Sequence, residues 1–324
     1  MENIKRIAVL TSGGDAPGMN AAIRAVARAA SHNGLEVFGV RRGYDGLIND
    51  DIVKLASSDV SNIIQTGGTI LKTARCPEFH KKEGRAKGFE TIKKHRIDGL
   101  IVIGGDGSFA GASLLSRELN FPVIGIPGTI DNDLYGTDYT IGFDTALNNV
   151  MTAVDKIRDT ASSHNRIFFV EVMGREAGFI ALRSGIACGA EAILIPEVDG
   201  QLEKLMDLME KRVSQKRSSI IMVAEGEREG NIFDMAKMVE KKFKDQDVRV
   251  SILGHMQRGG SPTAFDRVTA SRLGVAAVDA LLNDQRSIMV GIANNEITHV
   301  PLNKTIKVNK SINKGLLEIV DILI

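Results

Sequence analysis

Apolar residues along the chain fall mostly into short unbroken runs, each followed by glycine or small polar residues and then by a helical spacing of apolar positions. Unbroken runs indicate strands that are covered on both faces, and their alternation with helices predicts an α/β protein with parallel sheets. The predicted strands are IAVL (7–10), EVFGV (36–40), GLIVIGG (99–105), PVIGIPG (122–128), IFFVEVMG (167–174), AILIPE (192–197), SIIMVAEG (219–226), RVSILG (249–254) and IMVGIA (288–293).

The first helix is predicted directly after the first strand. Pro17 is expected at its first helical position, and Gly34, which tolerates a positive φ, is expected to end it. Its core-facing stripe would consist of Ala22, Ile23, Val26 and Ala30. Arg24 and Arg28 are four residues apart and therefore share one face, which from the residues alone is typical of a solvated surface.

Composition limits the classes of function. A chain of 324 residues is expected to form about two domains. The net charge of +1 and the absence of tryptophan argue against nucleic-acid and membrane-surface binding. Cys76 and Cys188 form no CxxC pair, as is typical of a reducing compartment. The first apolar run is too short for a signal peptide, and no run approaches the roughly 18 residues of a membrane span. We therefore expect a cytoplasmic protein.

Two glycine-rich stretches, TSGGDAPG (11–18) and IGGDGSFAGA (103–112), follow predicted strands and precede helices. Glycines let backbone N–H groups approach a ligand, and a helix N-terminus favours an anion. In the second stretch, Gly105 and Gly107 would give access to phosphates, and Asp106 would hold Mg²⁺ beside them.

Other interpretations of these stretches stay open. The first could be a tight turn with a capping aspartate, and the second a turn with Ser108 as helix N-cap. GDGSFA also matches the relaxed dinucleotide pattern, but the acid expected about 20 residues later is not clearly placed.

Charged residues follow further strands. Asp131 and Asp133 come after the run at 122–128, where one acid could orient a substrate hydroxyl and the other could assist a metal. Further candidate site residues stand next to the later strands. They are Arg166, Arg175, Glu225, Arg249, His255 and Arg258, of which Arg249 is the first residue of its predicted strand. Ligands of parallel sheets bind outside the carboxyl ends of strands, which makes this set a candidate anion site.

Together these stretches resemble one family. The stretches TSGGDAPGMNAAIR, IGGDGS, PGTIDND, GTDYTIGFDTA, RDTASSH, EVMGR, VAEG and LGHMQRGGSP are similar, in order and spacing, to the bacterial ATP-dependent 6-phosphofructokinases. The resemblance runs from about residue 4 to about residue 295, and no family motif matches the last 30 or so residues. It implies the glycolytic transfer of the γ-phosphoryl group of MgATP to the 1-hydroxyl of fructose 6-phosphate by an allosteric homotetramer.

The resemblance also implies individual roles. Asp131 matches the catalytic base, and Arg175 matches the arginine that stabilises the transferring phosphoryl group. Thr129 and Ile130 match the substrate loop, and Thr129 is also expected among the catalytic residues. Arg166 and Arg249 match 6-phosphate ligands that a neighbouring subunit contributes. The remaining sugar-phosphate contacts would be Met173, Gly174, Glu225, His255, Met256, Gln257 and Arg258. The nucleotide site would comprise Gly14, Arg75, Cys76, Gly105, Asp106, Gly107 and Ser108, with Asp106 near Mg²⁺.

The family implies two Rossmann-like three-layer α/β/α domains with mainly parallel sheets. The ATP-binding large domain would comprise residues 1–141 and 256–306. The small domain would comprise residues 142–255 and 307–324 and would bind fructose 6-phosphate.

Two glycines bear on whether the phosphate donor is ATP or pyrophosphate. Pyrophosphate-using relatives typically carry GGDD and PKTIDND, where this chain has Gly107 and Gly128. Glycine leaves space for the α-phosphate of a nucleotide, so ATP is the expected donor. The alternatives are a pyrophosphate-dependent phosphofructokinase and a non-catalytic nucleotide or sugar-phosphate sensor. An NAD-dependent oxidoreductase is a more distant one.

Regulation is where the sequence departs from the family pattern. Residues that match the binding site for ADP or phosphoenolpyruvate are Arg24, Arg28, Arg158, Gly189, Glu191 and Lys216. Ser57 stands where some relatives have an effector arginine, and Ser214 stands where relatives usually have a lysine. Each charge-assisted hydrogen bond contributes about 1.5–3 kcal/mol, so a weak or altered response to these effectors is expected.

Overall fold

The computed structural model describes residues 4–214 and 218–323, with backbone only at 212–214. Backbone contacts divide the chain into two compact units. The first unit comprises the chain up to Ile130, Leu134–Thr145 and Arg258–Lys310. The second comprises Asp131–Asp133, Ala146–Gln257 and the chain from Ser311 onward. The assignment of ATP to a large domain and of the sugar phosphate to a small one stays a prediction.

Strands and helices alternate along most of the chain. The strands are β1 Arg6–Thr11, β2 Glu36–Val40, β3 Ile52–Leu55, β4 Gly99–Gly104, β5 Val123–Pro127, β6 Ile167–Val172, β7 Ala192–Leu194, β8 Ser219–Ala224, β9 Val248–Ile252, β10 Ile288–Ala293 and β11 Glu296–Pro301. The helices are α1 Met19–His32, α2 Tyr44–Ile48, α3 Lys82–Lys94, α4 Asp106–Leu119, α5 Phe143–His164, α6 Phe179–Ala187, α7 Gln201–Ser214, α8 Ile232–Lys242, α9 Ala264–Leu282, α10 Leu302–Thr305 and α11 Lys314–Leu323. Short 3-10 helices span Pro77–His80 and Gly254–Arg258.

The described strands form one sheet in each unit. The first unit holds a seven-stranded sheet in the order β11-β10-β5-β4-β1-β2-β3, in which only the outermost strands, β3 and β11, are antiparallel to their neighbours. The second unit holds a parallel sheet in the order β7-β8-β6-β9. The predicted α/β class with mainly parallel sheets is confirmed.

Each unit has its own apolar core. In the first, Leu10, Val102 and Phe109 pack with Met289 and Leu302. In the second, the core includes Phe169, Leu194, Met209, Ile221 and Met235. Full burial of one such side chain contributes about 1.5–3 kcal/mol, so these clusters are the main source of stability. Among the described residues, we find no helix with both the length and the apolar character needed to cross a membrane.

The predicted strands all form, but some local predictions are wrong. Helix α1 begins at Met19, so Pro17 lies before the helix in a turn, and Gly18 occupies the N-cap with a φ of 105°. Helix α4 begins at Asp106 after Gly105, so Ser108 is inside its first turn and is not the N-cap. Arg249 is the second residue of its strand, which starts at Val248. Gly34, with a φ of 73°, follows the end of α1 as predicted.

Candidate active site

The carboxyl ends of β1, β4 and β5 lie side by side because these neighbouring strands run parallel. Each end leads into one of the glycine-bearing stretches. The turns pack so closely that a Cβ on Gly104 would lie 2.6 Å from the carbonyl oxygen of Ser12. The backbone N–H of Gly128 donates to the carbonyl of Gly104 over 2.9 Å. This edge of the sheet is therefore where a ligand of the first unit is expected.

The GDGS turn presents an exposed helix start. Asp106 and Gly107 are exposed in the first turn of α4, and a Cβ on Gly107 would meet no atom within 4 Å. The unsatisfied N–H groups of a helix start attract phosphate. Magnesium usually takes one or two carboxylates together with substrate phosphates and water. A single exposed carboxylate beside a phosphate-accepting helix start, as at Asp106, fits that donor set.

Tyr44, which was not among the residues predicted for the site, supports the GDGS turn through a hydrogen bond. Its hydroxyl donates to the carbonyl of Ser108 over 2.6 Å, and its ring stacks on Phe79 with 4.0 Å between centroids. Burial raises the pKa of Tyr44, so the hydroxyl remains a donor. Phe79 lies three residues after the half-buried Cys76, whose thiol pKa is also raised by burial. The structure thus ties the Cys76 segment to the GDGS turn, while Arg75 is exposed.

Arg258 lies against the first glycine-rich turn. Its Nη1 donates to the carbonyl of Asp15 over 3.2 Å. A Cβ on Gly14 would be only 2.7 Å from the same nitrogen. A side chain at this position would force the mobile end of Arg258 to shift. The structure thus brings a predicted sugar-phosphate residue next to a predicted nucleotide residue.

In the second unit, a buried carboxylate pairs with an exposed arginine. Asp131 is 1% exposed, and Arg175 Nε lies 3.3 Å from its Oδ2. Asn132, next in the chain, is buried and has a left-handed backbone with a φ of 55°. The structure therefore brings the predicted base and the predicted phosphoryl-stabilising arginine together.

Glu225 fixes the backbone that carries Arg175. Its Oε1 accepts hydrogen bonds from the backbone N–H groups of Gly174, at 3.2 Å, and Arg175, at 2.7 Å. Arg175 itself has a φ of 55°, a left-handed conformation that is uncommon outside glycine because the Cβ crowds the backbone. Such strain persists where the surroundings enforce it and is common at functional sites.

Gln257 has an internal role in the second unit. It is fully buried, its Oε1 accepts from the N–H of Met173 over 3.2 Å, and its Nε2 donates to the carbonyl of Gly254 over 3.0 Å. His255 and Met256, between them in sequence, are exposed. Gln257 thus holds two backbone segments in register, and the exposed neighbours are the side chains available to a ligand.

Arg166 and Arg249 lie at the opposite end of the same sheet. Arg166 precedes β6 and Arg249 is near the start of β9, whereas Arg175 and Glu225 follow the carboxyl ends of β6 and β8. A six-residue strand such as β6 is about 17 Å long between its terminal Cα atoms. Both arginines are bound by Asp247, with Nε–Oδ distances of 2.5 Å for Arg166 and 2.8 Å for Arg249.

Part of the predicted effector site is assembled in the second unit. Arg158 Nη2 donates to the carbonyls of Cys188, at 2.9 Å, and Gly189, at 2.8 Å, and Nη1 lies 3.4 Å from Glu191 Oε1. Val320 of α11 lines a cavity of about 80 Å³ together with Gly189 and Glu191. In the first unit, α1 carries the half-buried Arg24 and the exposed Arg28. Lys216 lies outside the described residues.

Asp266, a buried carboxylate in the first unit, was also not predicted from the sequence. Asp266 is fully buried, and its Oδ1 accepts from the N–H of Gly142 over 2.8 Å. Its Oδ2 accepts from the N–H and the hydroxyl of Thr145, at 2.8 and 2.5 Å. Burial raises the pKa of Asp266 to about 6. Asp266 thus caps the start of α5, which explains the GFDTA stretch as a structural feature.

Comparison with known proteins gives matches over most of the chain. A family model described as phosphofructokinase matches residues 6–281. The chain is 56% identical over 320 residues to ATP-dependent 6-phosphofructokinase 2 of Bacteroides thetaiotaomicron, with 98% of each chain covered. It is 55% identical over 321 residues to ATP-dependent 6-phosphofructokinase of Listeria welshimeri, with 99% of each chain covered.

Solved structures share the fold. The chain is similar to phosphofructokinase from Saccharomyces cerevisiae, with a TM-score of 0.87 and 38% identity over 98% of this chain. It spans about half of that longer chain, of which 47% is covered.

Proposed function

Because the chain belongs to the phosphofructokinase family, we infer that it is an ATP-dependent 6-phosphofructokinase. It transfers the γ-phosphoryl group of ATP to the 1-hydroxyl of fructose 6-phosphate, giving fructose 1,6-bisphosphate and ADP. The observation that carries the proposal is the ion pair between the buried Asp131 carboxylate and the Arg175 guanidinium, 3.3 Å apart. Glu225 accepts a hydrogen bond from the backbone N–H of Arg175, whose backbone is left-handed.

Asp131 is proposed to act on the attacking hydroxyl. An aspartate with an ordinary pKa near 3.9 is a weak base toward an alcohol. It suffices here because phosphoryl transfer passes through a loose transition state, in which the proton leaves late. The Asp131 carboxylate then orients the 1-hydroxyl and accepts its proton as the bond to phosphorus forms and the bond between that phosphorus and ADP breaks. Such assistance typically accelerates a reaction about 10²–10⁴-fold.

Arg175 is proposed to stabilise the transferring group. The phosphoryl oxygens carry the negative charge of the transition state, and a guanidinium presents several N–H donors to them. With its backbone N–H held by Glu225, Arg175 needs little reorganisation at the moment of transfer. Its present partner, Asp131, keeps the guanidinium close to the reacting hydroxyl.

The nucleotide is proposed to bind at the carboxyl end of the large sheet. The exposed start of α4 and the glycines of the first turn would accept its phosphates, and Thr129 would lie beside them. Asp106 would hold Mg²⁺, which when bound neutralises charge on the phosphates. Gly107, with open space around it, leaves room for the α-phosphate and supports ATP over pyrophosphate as donor.

The enzyme is further proposed to be a cytoplasmic homotetramer, with ADP or phosphoenolpyruvate as candidate effectors. Arg166 and Arg249 lie a strand length away from Arg175, which supports their serving the sugar phosphate of a second copy. Strand β9 is at a sheet edge, and its last residue, Ile252, and the nearby Met256 are more than half exposed. An exposed sheet edge can pair with another chain, and large exposed apolar patches often mark interaction sites. The two free cysteines fit a reducing compartment.

The test is product formation from fructose 6-phosphate, with ATP and with pyrophosphate in parallel, each with Mg²⁺. Product with ATP alone is expected. Product with pyrophosphate alone would overturn the donor assignment and leave the sugar substrate intact. No product with either donor, in a protein that binds both ligands by calorimetry, would indicate a sensor. Sedimentation velocity on the same sample tests the tetramer.

A further inference from the structure

Three charged side chains of the second unit form a bridge at the amino ends of β6 and β9. These strands are parallel neighbours, with Phe168 opposite Arg249. Asp247 lies just before β9 and accepts from Arg166 Nε through Oδ2 and from Arg249 Nε through Oδ1. One carboxylate therefore joins two arginines that are 83 positions apart in the chain.

The atoms used in this bridge determine what each arginine can still do. A guanidinium has five N–H donors, one on Nε and four on the two terminal nitrogens. Because Asp247 engages Nε of both arginines, the bridge leaves the terminal edge of each guanidinium turned away from the carboxylate. That edge is the fork that binds a phosphate through two parallel hydrogen bonds.

The bridge also restricts the motion of the two arginine side chains. Side-chain exposure is 26% for Arg166 and 38% for Asp247, but 56% for Arg249, so the last would be the most mobile without a partner. Ordering a long side chain on binding normally weakens affinity. The arginines hold the pKa of Asp247 below its ordinary value, the bond from Arg166 being the largest cause, so the carboxylate stays charged near neutrality.

We propose that Asp247 is a positioning residue that holds Arg166 and Arg249 as one phosphate-binding pair for the sugar phosphate bound by a second copy of the chain. This inference rests on the proposed function, because it takes fructose 6-phosphate as the ligand. Asp247 does not touch the phosphate. It presents two terminal guanidinium edges to it in a fixed arrangement.

The carboxylate has an opposing effect, since it reduces the charge of the cluster from +2 to +1. The group is partly exposed, so solvent screens this loss of attraction. We therefore expect the ordering of two arginines to outweigh it. The two effects predict opposite changes in substrate affinity when the carboxylate is removed, which makes the proposal testable.

The experiment compares Asp247→Asn with wild type and with the control Asp245→Asn. Asp245 is exposed and two residues away, so its replacement makes the same change in net charge. We expect the KM for fructose 6-phosphate to rise about 5–50-fold in Asp247→Asn. The kcat is expected to stay within about twofold and the KM for ATP to be unchanged. The control is expected to keep wild-type constants.

A second comparison checks the route of the effect. In a chain that already carries Arg166→Ala and Arg249→Ala, adding Asp247→Asn should no longer raise the KM, because the groups it positions are gone and only the weak repulsion between carboxylate and phosphate is removed.

Three results would overturn the proposal. They are a KM at or below the wild-type value in Asp247→Asn, an additive effect in the triple variant, and loss of the assembled form by sedimentation, which would assign Asp247 a structural role. If wild type gives no product from fructose 6-phosphate, the proposed function has failed instead.

Discussion

Replacing Asp266 by asparagine will change how the stability of the protein depends on pH. The Asp266 carboxylate is fully buried at the start of α5, and burial raises its pKa from 3.8 to about 6. Between these two values the folded protein binds a proton that the unfolded chain does not bind. The free energy of unfolding contributed by this group therefore increases as the pH falls through 6 toward 4.

The size of the effect follows from the two pKa values. Between pH 7.5 and pH 4.5, linkage gives an increase of about 2 kcal/mol in the free energy of unfolding. The Asp266→Asn variant lacks this titration. It also loses an acceptor for the N–H groups of Gly142 and Thr145, which costs about 1–3 kcal/mol at any pH. The difference in stability between wild type and variant is thus expected to widen by about 2 kcal/mol at the lower pH.

Urea unfolding followed by circular dichroism at both pH values measures this difference. Other carboxylates titrate in the same range, but their contributions cancel between wild type and variant when they lie far from Asp266. Asp159→Asn, an exposed change on α5, is the matched control and should show no widening. A difference that is constant with pH, or that narrows on acidification, would refute the linkage between burial of Asp266 and stability.

Three further outcomes are expected. Asp131→Ser should lower kcat about 10²–10⁴-fold while calorimetric binding of fructose 6-phosphate persists, and near-normal turnover would defeat its assignment as base. Gly107→Asp should raise the KM for ATP at least about tenfold without changing the melting temperature, because the new side chain enters open space and repels the α-phosphate. An unchanged KM would remove the structural argument for donor choice. Phosphoenolpyruvate below millimolar concentration should shift fructose 6-phosphate affinity only weakly, because Ser57 stands where the family pattern predicts a cation and because Arg158 is already bound by two carbonyls and Glu191. A large shift would contradict this.

The sequence predicted the buried strands well and the exposed ones poorly. Strands such as β4 and β8 are buried on both faces, so their apolar runs are unbroken. The missed strands, β3 and β11, are antiparallel edges with half-exposed patterns, IVKL and EITHVP, which resemble loops. Their pairing depends on the neighbouring strand and not on local composition. The prediction for Pro17 failed for a different reason. Its fixed φ fits a turn before α1 as well as a first helical position, so the residue alone does not distinguish the two.

Candidate ligand-binding residues were easier to find in the sequence than the residues that hold such candidates in place. Gly107 and Asp131 sit in recognisable turns at strand ends. Asp247, Tyr44 and Asp266 act on partners 81, 64 and 124 positions away in sequence. No local spacing encodes such contacts, because they form only once the strands have paired. Their side-chain types, Asp and Tyr, are common on surfaces and gave no signal.

The division of the chain into interleaved segments has a consequence for synthesis on the ribosome. The large sheet places β10 beside β5, although about 160 residues separate Pro127 from Ile288. At about 5–20 residues per second, those residues take roughly 8–30 s to emerge. The strands of the second sheet all emerge within that interval, so they can pair while the first sheet still lacks β10 and β11. During that interval the first sheet therefore consists of β1 to β5 and exposes the edge of β5 that β10 later covers.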